Sequence, residues 1–263
     1  MTKVVFLGAG AAPGVPSVSC GWGNCDPNNP KNIRRRTSTY YDINGVKILV
    51  DTSPDLRQQM LDNEIVTVDA VLYTHSHFDH VSGIDELREI NRITCKPIPV
   101  FASKDTMSDI KRKYGYMIIK DNEPKFYLSK GGLVTKKIKA NHEFYFNNIK
   151  IMPLKLLGHN APSCGYIIND EIVHLGDFKV LSNSAIERIK EFEKKIKLMV
   201  VPLTNPTTHK HHIGLAEAMN YIKMFDAKRV VFNHMASECD YGYINENTPD
   251  YVVPAYDGMK LEW

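Results

Sequence analysis

Residues 75–80, His-Ser-His-Phe-Asp-His, place three histidines and an aspartate within six positions, directly behind the apolar stretch VDAVLY at 68–73. A strand that ends in such a cluster constrains the fold strongly. Imidazoles and a carboxylate grouped at the edge of a core need a partner to offset their desolvation. While the chain stays extended past the strand, side chains alternate with a period of two, so His75, His77 and Asp79 point the same way. Imidazoles two residues apart can pinch one metal ion, and the adjacent Asp79 and His80 can reach a second. Such a donor set suits borderline divalent ions such as zinc or manganese.

Two ions require further ligands, and position separates the ten histidines. His159 follows the apolar run in LKLLGHN, Asp177 closes IVHLGD behind a glycine, and His234 closes RVVFNH. Each is a metal-capable group where a core strand opens into a loop, which is where open α/β sheets assemble their sites. His142 in ANHEFYF and His174 inside a strand lack this placement and read as surface or structural residues.

The remaining pattern is a layered α/β domain with mixed sheets. KVVFLG, TSTYYDI, VKILVD, IPVFAS, NIKIMPLKLL, GYIIN, EIVHLGD, LMVVPL and RVVFNH read as strands, with Asn44-Gly45 as a tight hairpin turn. SPDLRQQMLD, SGIDELREINRI (with Ser82 as its cap), KDTMSDIKRKYGY, SAIERIKEFEKKIK and LAEAMNYIKMF read as helices. GAGAAPG after the first strand has the glycines of a dinucleotide-binding turn, but Pro13 and Pro16 break the helix that must follow, so the segment reads as a loop over the mouth of a site. The lysine-rich segment 120–139 reads as a solvated face. With no repeat and no linker, one domain over residues 1–263 is the simplest count.

A formal net charge of +3 is too mild to make nucleic acid the presumptive partner, though an anionic substrate fits. No apolar run approaches the roughly 20 residues that span a bilayer. Cys20, Cys25, Cys95, Cys164 and Cys239 are odd in number and scattered, which argues against a disulfide framework and for a reduced, cytoplasmic setting.

The set His75-x-His77-x-Asp79-His80, His159, Asp177 and His234 resembles that of the metallo-β-lactamase superfamily. GWGNCDPNNPKNIRRR followed by VDTSPDLRQQM is similar to the branch that includes the cyclic-phosphate phosphodiesterase of phosphonate catabolism. The resemblance implies a four-layer αββα sandwich with two mixed sheets. It also implies two divalent metal ions, zinc or manganese: His75, His77 and His159 on one, Asp79, His80 and His234 on the other, Asp177 bridging. A hydroxide between the ions would cleave a small cyclic or nucleotide-like phosphodiester, with Asp79 orienting the attacking oxygen. His212, in THKHHIGLAEAMNYI, stands where related phosphodiesterases carry a histidine that approaches the substrate, and is the candidate for protonating the leaving oxygen. Relatives of this branch carry a structural zinc, but Ser237 replaces its histidine here and Cys20 and Cys25 alone do not complete a tetrahedral site, so none is expected. Other members imply alternatives: a tRNA-processing endoribonuclease, for which segment 120–139 is the sole gripping arm on offer, or a non-catalytic carrier similar to quinone-cofactor synthesis protein B. A homodimer is common among relatives.

Overall fold

The computed structural model describes residues 1–119 and 132–263. Two compact units alternate along the chain: Met1–Gly8, Thr37–Ile138 and Gly258–Trp263 form the first, Ala9–Arg36 and Lys139–Asp257 the second.

The first unit is built on a seven-stranded mixed sheet. Its strands are β1 (Thr2–Gly8), β2 (Ser38–Ile43), β3 (Val46–Val50), β4 (Ala70–Leu72), β5 (Ile98–Ala102), β6 (Leu133–Lys137) and the last strand of the chain, β15 (Met259–Glu262), in the order β15-β1-β2-β3-β4-β5-β6. The hairpin β2–β3 turns at Asn44 and Gly45, both at positive φ, as the Asn-Gly pair requires. From β3 onward the strands run parallel, so helical crossovers are obligatory. Helices α1 (Leu56–Asp62), α2 (Phe78–Val81), α3 (Leu87–Thr94) and α4 (Lys104–Tyr114) supply them. Leu49, Val71, Tyr73, Val100, Leu87, Met107 and Ile110 form the core.

The stretch 82–93, expected as one helix capped by Ser82, is instead a 3-10 segment Ser82–Glu86 followed by α3. Gly83 gives the physical reason. A Cβ there would stand 1.9 Å from the Ser53 carbonyl oxygen. The chain must pass hard against residue 53, and a regular α-helix does not begin until that contact is behind it.

The second unit holds an eight-stranded mixed sheet. Its strands are β7 (Phe144–Phe146), β8 (Ile149–Leu157), β9 (Ser163–Ile168), β10 (Ile172–His174), β11 (Val180–Leu181), β12 (Leu198–Pro202), β13 (Val230–Asn233) and β14 (Val252–Pro254). The order is β11-β8-β9-β10-β12-β13-β14, with β7 added on β8. Strands β10, β12, β13 and β14 are mutually parallel and almost wholly buried, hence the continuous apolar sequences LMVVP and VVFN. Helix α5 (Asn183–Phe192) packs on β8 and α7 (Tyr241–Glu246) on β14, while α6 (Leu215–Ile222) carries the chain from β12 to β13. Asp257 accepts from the backbone N–H of Ala9 (2.9 Å) and Arg35 (2.8 Å), tying both ends of the Gly/Pro-rich loop to one half-buried carboxylate. Among the described residues no helix is long and apolar enough to cross a membrane.

Candidate metal centre

In the first unit the parallel register of β3 and β4 pairs Val50 with Leu72, which sets Asp51 beside Tyr73 and Thr74 just beyond the strand ends. Asp51 is buried with φ +61, a left-handed conformation that an Asp tolerates better than most residues. Its Oδ1 accepts from Thr74 N (2.8 Å), and its Oδ2 accepts from Thr74 Oγ1 (2.7 Å) and lies 2.7 Å from His80 Nδ1. A carboxylate only accepts, so Nδ1 of His80 carries a hydrogen and, in the neutral ring, Nε2 keeps its lone pair. That Nε2 lies 3.3 Å from Asp79 Oδ2. Burial works against a charge on His80, but the Asp79 and Asp51 carboxylates outweigh it and hold its pKa well above the ordinary imidazole range.

His75 Nε2 and His77 Nδ1 are 3.1 Å apart. Two ligands of a tetrahedral zinc ion, each at about 2.0–2.1 Å, lie about 3.3 Å from one another. The extended chain ends at His77, which caps α2, so Asp79 sits on a helical turn and not on the extended run expected for it.

In the second unit, Asp177, Thr204 and His234 follow the C-terminal ends of the parallel strands β10, β12 and β13. Pro202 pairs with Asn233, and Leu203 N donates to the Asn233 carbonyl, so Thr204 and His234 leave the sheet side by side. His234 takes φ +56 and remains buried, the kind of strained strand end that collects at functional sites. Its Nε2 is 3.3 Å from Asp177 Oδ2. His159 follows β8 by two residues, with Gly158 at φ +77 making the turn. His159 Nδ1 donates to the His211 carbonyl at 3.3 Å, again leaving Nε2 of a neutral ring with its lone pair.

His212 joins this group. Its ring centroid lies 4.9 Å from that of His159, and it stacks over His234 at 6.0 Å. Ligand atoms of His159, Asp177 and His212 all fall within 4.8 Å of one another. Burial pushes its pKa down to about 4, against the pull of Asp177. His209 is exposed, with its ring 5.9 Å from that of His212. The loop carrying these histidines is clamped from below. Lys179 Nζ donates to Glu217 (2.6 and 2.8 Å) and to the His212 carbonyl (3.3 Å), while Glu217 also accepts from Thr208 Oγ1 and Gly214 N.

The other candidates lie elsewhere. His174 is buried within β10, and His142 is exposed with Nδ1 on the Ala140 carbonyl. Cys25 and Cys239 are buried around Arg34, whose guanidinium donates to the Cys25 sulfur (3.2 Å), to Asn32 Oδ1 (2.9 Å) and to the Cys239 carbonyl (2.5 Å); Cys20 is exposed. Of the lysine-rich segment, residues 120–131 lie outside the described residues, while Lys136 and Lys137 are exposed on β6. The sequence reading missed Asp51 and Thr204. Both carry the signal used for the others, a polar residue just past an apolar run (VKILVD, LMVVPLT).

In both units, then, imidazoles are fixed through one nitrogen by a carboxylate or carbonyl. That is the arrangement that orients metal-ligating histidines. The donor set, imidazole with carboxylate and no thiolate, fits a divalent zinc- or manganese-type ion. Residues 46–235 match the model of the beta-lactamase superfamily domain. The chain belongs to the metallo-β-lactamase superfamily. Its two mixed sheets with flanking helices are those of the metallo-β-lactamase fold. A diphosphatase from the PhnP family superposes with a TM-score of 0.88 at 24% identity, covering 100% of this chain and 98% of that one. Zinc-bound PqqB from Methylobacterium extorquens superposes with a TM-score of 0.73 at 17% identity, over 99% of this chain and 100% of that one. An octanoyltransferase from Porphyromonas gingivalis is 30% identical over 262 residues, which is 98% of this chain and 51% of the relative. The chain therefore spans about half the length of that curated relative.

Proposed function

We propose that this superfamily member is a metal-dependent phosphodiesterase of one hydrolase domain, residues 1–263, acting on small cyclic or nucleotide-like phosphodiesters. In this reading His75, His77 and His159 hold one divalent ion, Asp79, His80 and His234 hold a second, and Asp177 serves both. The observation that carries it is the matched preparation of His80 and His159. Each has Nδ1 engaged by an acceptor, so that Nε2 is the nitrogen left to give its lone pair to a metal once the ring is neutral. When bound, two divalent ions supply an activated water at neutral pH and positive charge for the phosphoryl oxygens.

The chain's own residues do the rest. Asp51 and the His211 carbonyl fix ring orientation. Asp79 orients the attacking water, and His212 offers an N–H to the departing oxygen. The Lys179–Glu217 clamp holds the His212 loop in place. The test is a substrate panel: bis-p-nitrophenyl phosphate, five-membered cyclic phosphates, a phosphate monoester, a tRNA precursor, and an octanoyl ester, the acyl group named by the longer relative. Turnover of the diesters, abolished by a chelator and restored by zinc or manganese, is the expected result. Diester turnover that survives complete metal removal, or cleavage confined to RNA or the octanoyl ester, would overturn it.

A further inference from the structure

We infer that the Thr204 hydroxyl is a proton relay that makes the tautomer of His212 depend on whether Nε2 of His234 carries a metal ion. The inference rests on the hydrolase reading above only for what His212 then does. Thr204 Oγ1 lies 3.1 Å from His212 Nδ1 and 3.1 Å from His234 Nδ1. These ring nitrogens are the hydroxyl's partners among the described residues. A hydroxyl has one hydrogen to give and lone pairs to accept. Placing that hydrogen makes one Nδ1 an acceptor, and the other ring donates to the oxygen.

Asp177 decides the direction. Its Oδ2 lies 3.3 Å from His234 Nε2, and an ionised carboxylate accepts only. In the metal-free protein the neutral His234 ring therefore carries its hydrogen on Nε2, and its Nδ1 accepts from Thr204. Thr204 in turn accepts from His212 Nδ1–H, which leaves His212 Nε2 bare. An ion on His234 Nε2 displaces that hydrogen and reverses the chain. Now His234 Nδ1–H donates to Thr204, Thr204 donates to His212 Nδ1, and His212 carries its hydrogen on Nε2. The protons balance. His234 Nε2 releases one to solvent, His212 Nε2 takes one up, and the two hydrogens between them each move across one bond. Only the loaded protein then offers a donor from His212 Nε2 to the departing oxygen. Thr204 is thus a positioning residue: it touches no reacting atom and acts through His212.

The experiment is 15N NMR of the histidine side chains in the full chain at about pH 8, above the ordinary imidazole range near 6.5. Spectra are recorded metal-free and with zinc, for the parent, Thr204→Ser and Thr204→Val. The expected result is His212 protonated on Nδ1 without metal and on Nε2 with zinc in the parent and in Thr204→Ser, and no zinc-dependent exchange in Thr204→Val. Kinetics give a second readout. The ratio of turnover on an alkyl diester, which needs a donor at its leaving oxygen, to turnover on an activated p-nitrophenyl diester should fall on the order of 10- to 100-fold in Thr204→Val and recover in Thr204→Ser. A His212 tautomer that ignores zinc in the parent, a zinc-dependent exchange that persists in Thr204→Val, or a zinc ion found on His212 itself would overturn the relay. A parent that shows the exchange yet cleaves no diester would sink the substrate assignment and leave the relay standing.

Discussion

Replacing Asp51 with Asn separates the metal affinity of the first unit from its folding. The carboxylate makes three contacts, all near 2.7–2.8 Å and all buried. Asparagine keeps the acceptor that Thr74 N needs. Its Nδ2 then faces Thr74 Oγ1, which can turn to accept, and His80 Nδ1, which cannot accept while it holds a hydrogen. His80 must move that hydrogen to Nε2, the nitrogen assigned to the metal. Outer-shell changes of this kind cost about 10- to 100-fold in metal affinity, which is about 1.4–2.8 kcal/mol. Losing a charge-assisted bond at a buried site costs the metal-free fold about 1–3 kcal/mol. Competition with a chromogenic chelator measures the first quantity and urea unfolding of the metal-free protein the second. A folded Asp51→Asn protein with parental zinc affinity would refute the claim that Asp51 sets the His80 tautomer.

Gly83→Ala should unfold or severely destabilise the protein in urea, because the new Cβ would meet the backbone of Ser53, which has no room to retreat; near-parental stability would remove the explanation given for the broken helix. Glu217→Ala should leave the fold intact and lower diester turnover about 10-fold or more by releasing Lys179 and the His212 loop, so unchanged turnover would show that the clamp does not position the loop. Asp257→Ala strands two N–H groups, those of Ala9 and Arg35, and should cost about 2–4 kcal/mol on unfolding; a change below 1 kcal/mol would mean the loop ends are held by other means.

Much of this was legible in the sequence because the strands are buried on both faces and announce themselves as apolar runs. LMVVP and RVVFN could hardly be anything else, and the metal-capable residue that follows each run marks a strand end. What stayed hidden depends on contacts between distant segments. The approach of Gly83 to Ser53 breaks a helix that its own periodicity favours. Asp51 and Thr204 look like ordinary strand-end residues until the parallel registers of β3 with β4, and of β12 with β13, bring them against histidines. The short strands β7, β11 and β14 carry two or three residues each, too few for any period to show. The weak feature of the His75–His80 reading was the assumption of extended chain through Asp79, since a helix N-terminus begins after His77.

The most direct measurement is elemental analysis of the purified chain and of Asp177→Ala after loading with zinc and removal of the excess. Two ions per chain in the parent, falling to one or none in Asp177→Ala together with loss of diester turnover, is the expected result. A parent that retains no more than one ion, or an Asp177→Ala protein that keeps both ions and its turnover, would contradict a paired-metal hydrolase bridged by Asp177.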